Sequence, residues 1–168
     1  MFKVNDYVIY GSTGVCQVVD IKKDEGSSDD AQYYILHPVY INTMSIKTPV
    51  DNPRIMMRPL LTKDEVLSLI AIVPEQAPFW VQNPKERSNI FKAALKSNEN
   101  EELIKIIRMI YQEKQTTTKK ISNTDENFMS TAEKRLYEEF SISLNIPTEE
   151  VVPFIFEHIT DMGKCTKI

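Results

Sequence analysis

The stretch MFKVNDYVIYGSTGVCQVVDI, residues 1–21, decides the architecture of the first third of the chain. Residues 7–10 (YVIY) form a short β-branched and aromatic run that stops at GSTG, residues 11–14, a segment of turn formers. Residues 15–21 (VCQVVDI) resume as a β-branched run long enough for a full strand, apolar on both faces at its start. That pattern fits a strand that curls across a small barrel. Outward from here, residues 23–30 are a polar hairpin tip, and residues 32–36 predict a third strand ended by His37 and Pro38. Residues 44–48 predict a fourth, ended by Pro49, and residues 55–57 a fifth, ended by Arg58 and Pro59.

After Pro59 the period changes from strand to helix. Thr62 and Glu65 form a capping box ahead of Val66, Leu67, Leu69 and Ile70. Residues 74–84 hold three prolines with Phe79 and Trp80, and read as a linker. Asn83 is placed to cap a helix with Pro84 at its first position and Glu86 three residues on. That helix carries Ile90, Phe91, Ala94 and Leu95, and a further one carries Leu103, Ile106, Ile107, Ile110 and Tyr111. Residues 122–125 cap a long helix with an i,i+4 ladder of Phe128, Ala132, Leu136, Phe140 and Leu144. Thr148 caps a last helix, in which Pro153 predicts a shifted start or a kink. The expected fold class is α+β: a five-stranded antiparallel β half-barrel over residues 1–59, an all-α domain of about five helices over 60–161, and a frayed tail over 162–168.

Composition narrows the function. The chain has 168 residues, 42% of them hydrophobic, with 20 Lys and Arg against 24 Asp and Glu. That is enough to bury a real core, and it argues against disorder throughout. Cys16 and Cys165 lie at opposite ends without C-x-x-C spacing, which excludes a disulfide framework and a Cys-rich zinc site. No stretch nears the ~20 apolar residues of a membrane span, and Asp6 interrupts the N-terminus too early for a signal peptide. The expected location is cytoplasmic. Charge is uneven. Residues 84–120 hold 9 basic and 5 acidic residues, whereas 121–161 hold 2 basic and 9 acidic. A basic island attracts phosphates, although a solvated helix surface with internal ion pairs gives the same count.

Catalytic chemistry is not visible. His37 and His158 lack the spacing of metal ligands or of a base. Cys16 sits in a β-branched run and is most simply a small core residue. The G-x-x-G at Gly11 and Gly14 lies between strands and lacks the helix N-terminus of a phosphate loop. Glu101 with Glu102, and Glu138 with Glu139, are neighbours along helices and so point apart. The expectation is no enzyme, no catalytic residue, no metal and no cofactor. Recognition chemistry remains. Trp80, followed by Lys85, Arg87, Lys92 and Lys96, places a ring beside cations, as in proteins that wedge or stack on nucleic acid. Equally, Phe79 and Trp80 can plug the base of the bundle.

Residues 1–21, together with YYILHPVYINTMSIKTPVDNPRIMMRP (residues 33–59) and its Pro-Val-Asp-Asn turn, resemble the CarD/CdnL family of bacterial transcription regulators. Its N-terminal module is shared with transcription-repair coupling factors. Trp80, then KERSNIFKAALKSNENEELIKIIRMIY (85–111) and KKISNTDENFMSTAEKRLYEEFSISLNI (119–146), resemble the family's helical domain. The resemblance runs from Phe2 to about Ile159. It implies a Tudor-like β module that binds the β subunit of RNA polymerase, and a helical domain that touches promoter DNA at the upstream edge of the transcription bubble. It implies polymerase contacts at Lys47 and its strand neighbours Ile46 and Thr48, with Lys22 and Lys23 near a second contact. It implies DNA contacts at Trp80, Lys85, Arg87 and Lys92, and at Lys119 and Lys120. In the family the Trp wedges into the minor groove. Here Val81, Gln82, Asn83 and Pro84 stand between the Trp and the basic residues, a departure from some relatives. The alternative reading is a protein–protein adaptor that docks by strand pairing without touching DNA.

Overall fold

The computed structural model describes residues 1–23, 31–41, 44–72, 79–118 and 120–161. Lys119, most of the hairpin tip (24–30), Cys165 and the tail expected to fray (162–168) lie outside the described residues. The chain divides into two compact units, Met1–Leu60 and Leu61–Ile168.

The first unit is a five-stranded antiparallel sheet. Its strands are β1 (Tyr7–Tyr10), β2 (Gly14–Lys23), β3 (Gln32–Pro38), β4 (Ile46–Pro49) and β5 (Met57–Pro59), in the spatial order β4-β3-β2-β1-β5. Val8, Tyr10, Cys16, Val18, Tyr34 and Leu36 form its core. The β1–β2 link is one tight helical turn, Gly11–Thr13. Gly11 has φ +46° and its N–H bonds the Met56 carbonyl, and a Cβ there would stand 2.9 Å from the Ile55 side chain. The tight turn expected over residues 11–14 is therefore closed by a residue with no side chain to clash.

Register departs from simple alternation in β2. Val18 pairs with Leu36 but Asp20 pairs with Ile35, so Val19 is a bulge. The extra residue lets Val18 and Ile21, three apart, both face the core. Several expected strand boundaries shift, and β2 extends by a residue or two at each end of the expected 15–21. Strand β3 runs on through His37 and Pro38; there the Val39 N–H continues the ladder to the Val15 carbonyl, so Pro38 leaves no donor missing. Strand β4 starts at Ile46 and includes Pro49. Strand β5 is Met57–Pro59, not 55–57, and a proline is tolerated because β5 lies at the sheet edge.

The second unit comprises α1 (Lys63–Ile72), α2 (Pro84–Ser97), α3 (Asn100–Thr116), α4 (Asn123–Leu144) and α5 (Thr148–Asp161). Its starts obey local chemistry. In α1 the Thr62 N–H donates to Glu65 Oε2 at 2.7 Å and the Glu65 N–H to Thr62 Oγ1. In α2, Asn83 Oδ1 accepts from the Lys85 and Glu86 N–H groups. In α4, Ser122 Oγ accepts from the Asp125 N–H. Helices α2 and α4 end on Asn98 and Asn145, both with left-handed backbone. Pro153 does not shift the start of α5: the helix runs from Thr148 and contains the proline. Thr148 is the first helical residue, not the cap.

The ladder on α4 serves two clusters. Leu136, Phe140 and Leu144 pack with Val66 and Ile70 of α1, Ile104 of α3 and Val151 of α5. Ala132, with Phe128 beside it, packs with Phe91 and Ala94 of α2 and Leu103, Ile106 and Ile110 of α3; Trp80 leans on this second cluster. Among buried polar groups, Glu139 Oε1 accepts the Leu61 N–H at 3.0 Å, which ties the chain entering α1 to the middle of α4. Among the described residues, no helix is long and apolar enough to cross a membrane.

Replacing Gly11 with alanine is expected to lower stability by about 1–2 kcal/mol, the cost of a left-handed β-carbon-bearing residue, plus whatever Ile55 must give. Urea unfolding of the full chain checks this, with Ser12→Ala, at an exposed site, as the neutral control.

Candidate functional site: an exposed sheet edge and a clamped aromatic beside a basic helix

Strand β4 is an outer strand of the sheet, so one side of its backbone has no partner within that sheet. The Val50 N–H bonds the Gln32 carbonyl. Alternation along an antiparallel pair then directs the main-chain groups of Ile46 and Thr48 to β3, and those of Lys47 outward. The Lys47 side chain is exposed, and its Nζ lies 4.3 Å from the Tyr33 ring centroid. Lys47 thus offers both a cation and a backbone edge that, among the described residues, no strand of the sheet pairs. Its two neighbours do not share this role. Ile46 packs on the core. Thr48 is 2% exposed and its hydroxyl accepts from the Asn52 amide at 2.9 Å. The expectation that Thr48 meets a partner gives way to a structural role, tying the residue 49–52 turn to the strand. Lys22 and Lys23 are exposed at the end of β2, and Lys22 lies 3.7 Å from Asp20. An exposed pair at that distance is weak and easily exchanged for another anion.

In the helical unit the centre is Arg87. It is 6% exposed. Its Nε and Nη2 donate to the two Asp125 carboxylate oxygens at 3.0 and 2.8 Å, a bidentate fork. Its Nη1 donates to the Val81 carbonyl at 2.6 Å. Its guanidinium carbon stands 4.2 Å from the Trp80 ring centroid. Asp125 also accepts from the Ser122 hydroxyl at 2.6 Å. Burial pushes the Asp125 carboxyl up, but the hydrogen bonds from Arg87 and Ser122 and the charge on Arg87 outweigh it and hold the group below its usual range. The expectation that Arg87 contacts phosphate is corrected by this geometry. Its donors are committed inside the fold, and its work is to hold Trp80 and the residues leading into α2.

The other cations lie where phosphates can reach them. On α2, Lys85, Asn89, Lys92 and Lys96 are all exposed and recur at helical spacing along one face, opposite the buried Arg87, Phe91 and Ala94. Lys96 extends the stripe that Lys85 and Lys92 begin. Lys120 is exposed just before α4, and Lys119 lies outside the described residues. Trp80 is half-buried against the second cluster, while Phe79 beside it is 77% exposed. No residue spacing foretold the pairing of Arg87 with Asp125, since the partners are 38 residues apart.

Cys16 is fully buried, and burial pushes its thiol up to about 11. A thiol so placed stays protonated and inert at neutral pH. Among the described residues no group of three or more His, Cys, Asp or Glu side chains is gathered to hold a metal.

The chain thus pairs a β module whose outer strand is open with a helical unit that carries a cationic stripe. The family model for the CarD-like/TRCF RID domain matches residues 2–61, and the N-terminal unit is a domain of that family. Domains of that family generally bind the β subunit of RNA polymerase, and the match supports a polymerase-interacting, transcription-related module over residues 2–61. A comparison with curated proteins returns no match.

Breaking the clamp by Arg87→Ala should cost about 3–5 kcal/mol, because it leaves Asp125 charged and buried; urea unfolding and a shift in Trp80 emission report it. The pH dependence has a definite sign. A carboxyl held low in the fold and near 3.9 when unfolded contributes its full stabilisation above about pH 4 and loses it as pH falls through the folded value. The stability gap between the native chain and Asp125→Asn should therefore narrow from pH 7 to pH 3, and a pH-independent gap would exclude this account.

Proposed function

We propose that this protein regulates transcription by binding the β subunit of RNA polymerase through the β4 edge and stabilising the promoter open complex through the helical unit. In this reading Lys47, with Lys22 and Lys23 nearby, meets polymerase. Lys85, Lys92, Lys119 and Lys120 meet phosphates at the upstream edge of the bubble, and the Trp80 segment meets the distorted duplex beside them. The observation that carries the reading is the RID match over residues 2–61 on a chain whose next unit sets a cationic stripe beside a clamped aromatic segment.

The physics favours such a division of labour. A protein that prefers melted DNA need not read sequence. It needs differential affinity for the open state, and about 1.4 kcal/mol of it shifts the equilibrium tenfold. Phosphate contacts supply affinity without specificity, and an apolar ring favours distorted over regular duplex. With residues 121–161 strongly acidic, DNA affinity of the helical unit alone is expected to be low. Tethering through polymerase then provides the effective concentration.

The lifetime of a promoter open complex should lengthen when the protein is added. Trp80→Ala should return it to the value without protein. Lys47→Glu should lose polymerase binding while keeping the native urea midpoint. An unchanged lifetime with the native protein rejects the open-complex role and leaves the adaptor reading, in which polymerase is bound but DNA is not.

A further inference from the structure

We infer that Glu139 is a positioning residue for DNA engagement: by holding the Leu61 N–H it reduces the joint between the two units to a single residue, Leu60. The inference rests on the proposed open-complex role and names what sets the reach of the helical unit from the docked β unit. On the β side the last anchored residue is Pro59, which pairs with Val8 in the sheet and whose φ is fixed by its ring. On the helical side the first is Leu61. Its N–H donates to Glu139 Oε1 at 3.0 Å, and its side chain packs on the cluster of Val66, Ile70 and Phe140. Thr62 follows directly and is held by the Glu65 carboxylate. Pro59 and Leu61 are therefore joined by at most about 7 Å of chain.

Leu61 precedes α1, so its N–H belongs to no helix or strand, and the carboxylate that receives it lies 78 residues on in sequence. Glu139 is 1% exposed, in the C-terminal half of α4. A carboxylate is costly to bury, and where a side chain only fills a core an apolar one of similar size costs less. What the carboxylate adds at this position is a directed acceptor for one link residue. The length of the joint matters because the DNA affinity of the helical unit alone is expected to be low. For a tethered module that can reach its site, the local concentration falls as roughly the −3/2 power of tether length. A joint of one residue keeps that concentration high, and each free residue added there dilutes it.

The test uses the full chain with polymerase holoenzyme and a promoter. An insertion of about twelve Gly and Ser residues between Leu60 and Leu61 lengthens the joint and leaves both anchors in place. The insertion chain should keep polymerase binding in the absence of promoter DNA, the native urea midpoint and the native Trp80 emission. It should engage DNA about tenfold to fiftyfold more weakly, so that most of the lengthening of the open-complex lifetime is lost. Glu139→Leu removes the acceptor and frees Leu61 as well, and should weaken engagement about threefold. Glu139→Gln keeps an acceptor oxygen and should retain the native lifetime. An insertion chain that lengthens the lifetime as the native chain does overturns the inference and leaves the proposed function standing. So does loss of polymerase binding on insertion, since the joint would then belong to the docking surface. A native lifetime with folded Glu139→Leu overturns the assignment to Glu139. The insertion alters no packed side chain, so its outcome does not depend on how stable Glu139→Leu is. If the native protein does not lengthen the lifetime, both the inference and the proposed function fall.

Discussion

The ion pair between Arg87 and Asp125 is the constraint on which the helical unit's surface depends. A buried charge is costly unless it is paired and its remaining donors are used. Here both conditions hold: two guanidinium nitrogens go to the carboxylate, the third to Val81, and the Ser122 hydroxyl completes the carboxylate. The pair joins the start of α2 to the start of α4, so it orients the exposed face of α2 relative to the rest of the unit. The flat guanidinium also covers Trp80. One side chain thereby sets the direction of the lysine stripe and immobilises the aromatic segment beside it. Lysine could not replace it, because a single ammonium cannot fork onto a carboxylate and stack on an indole together.

Helix α4 is the spine of the same unit. Its single apolar stripe divides between two clusters, with α1 and α5 on the C-terminal part and α2 with Trp80 on the N-terminal part, and α3 shared by both. This division couples the two clusters to one another. The cluster that carries the aromatic segment is built on the same helix as the cluster that secures the chain where it leaves the β unit, through Glu139 and Leu61. A surface made of anchored side chains loses little conformational entropy on binding.

Much of this was legible in residue order. Caps are local chemistry, so Thr62 with Glu65, Asn83 with Pro84, and Ser122 with Asp125 announced three helix starts that the structure has. The change from period two to period 3.6 after Pro59 announced the switch from sheet to helices. What the order of residues hid was whatever depended on a distant partner. The Val19 bulge exists because β3 offers one residue opposite two, and it moves Ile21 to the face that alternation denies it. Pro59 belongs to a strand because β5 is an outer strand, which its own sequence cannot say.

The candidate site divides along the same line. The sequence by itself determined the two-part layout, the basic island and the aromatic pair ahead of it, since composition and spacing are properties of the chain alone. Only the tertiary structure decided which cation is structural: Arg87 and Lys85 stand two apart on one helix, yet one is buried against Asp125 and the other faces water. The reason is geometric. Helical periodicity fixes that the two side chains point to different faces, but which face is covered depends on a carboxylate 38 residues away that only folding brings within 3 Å.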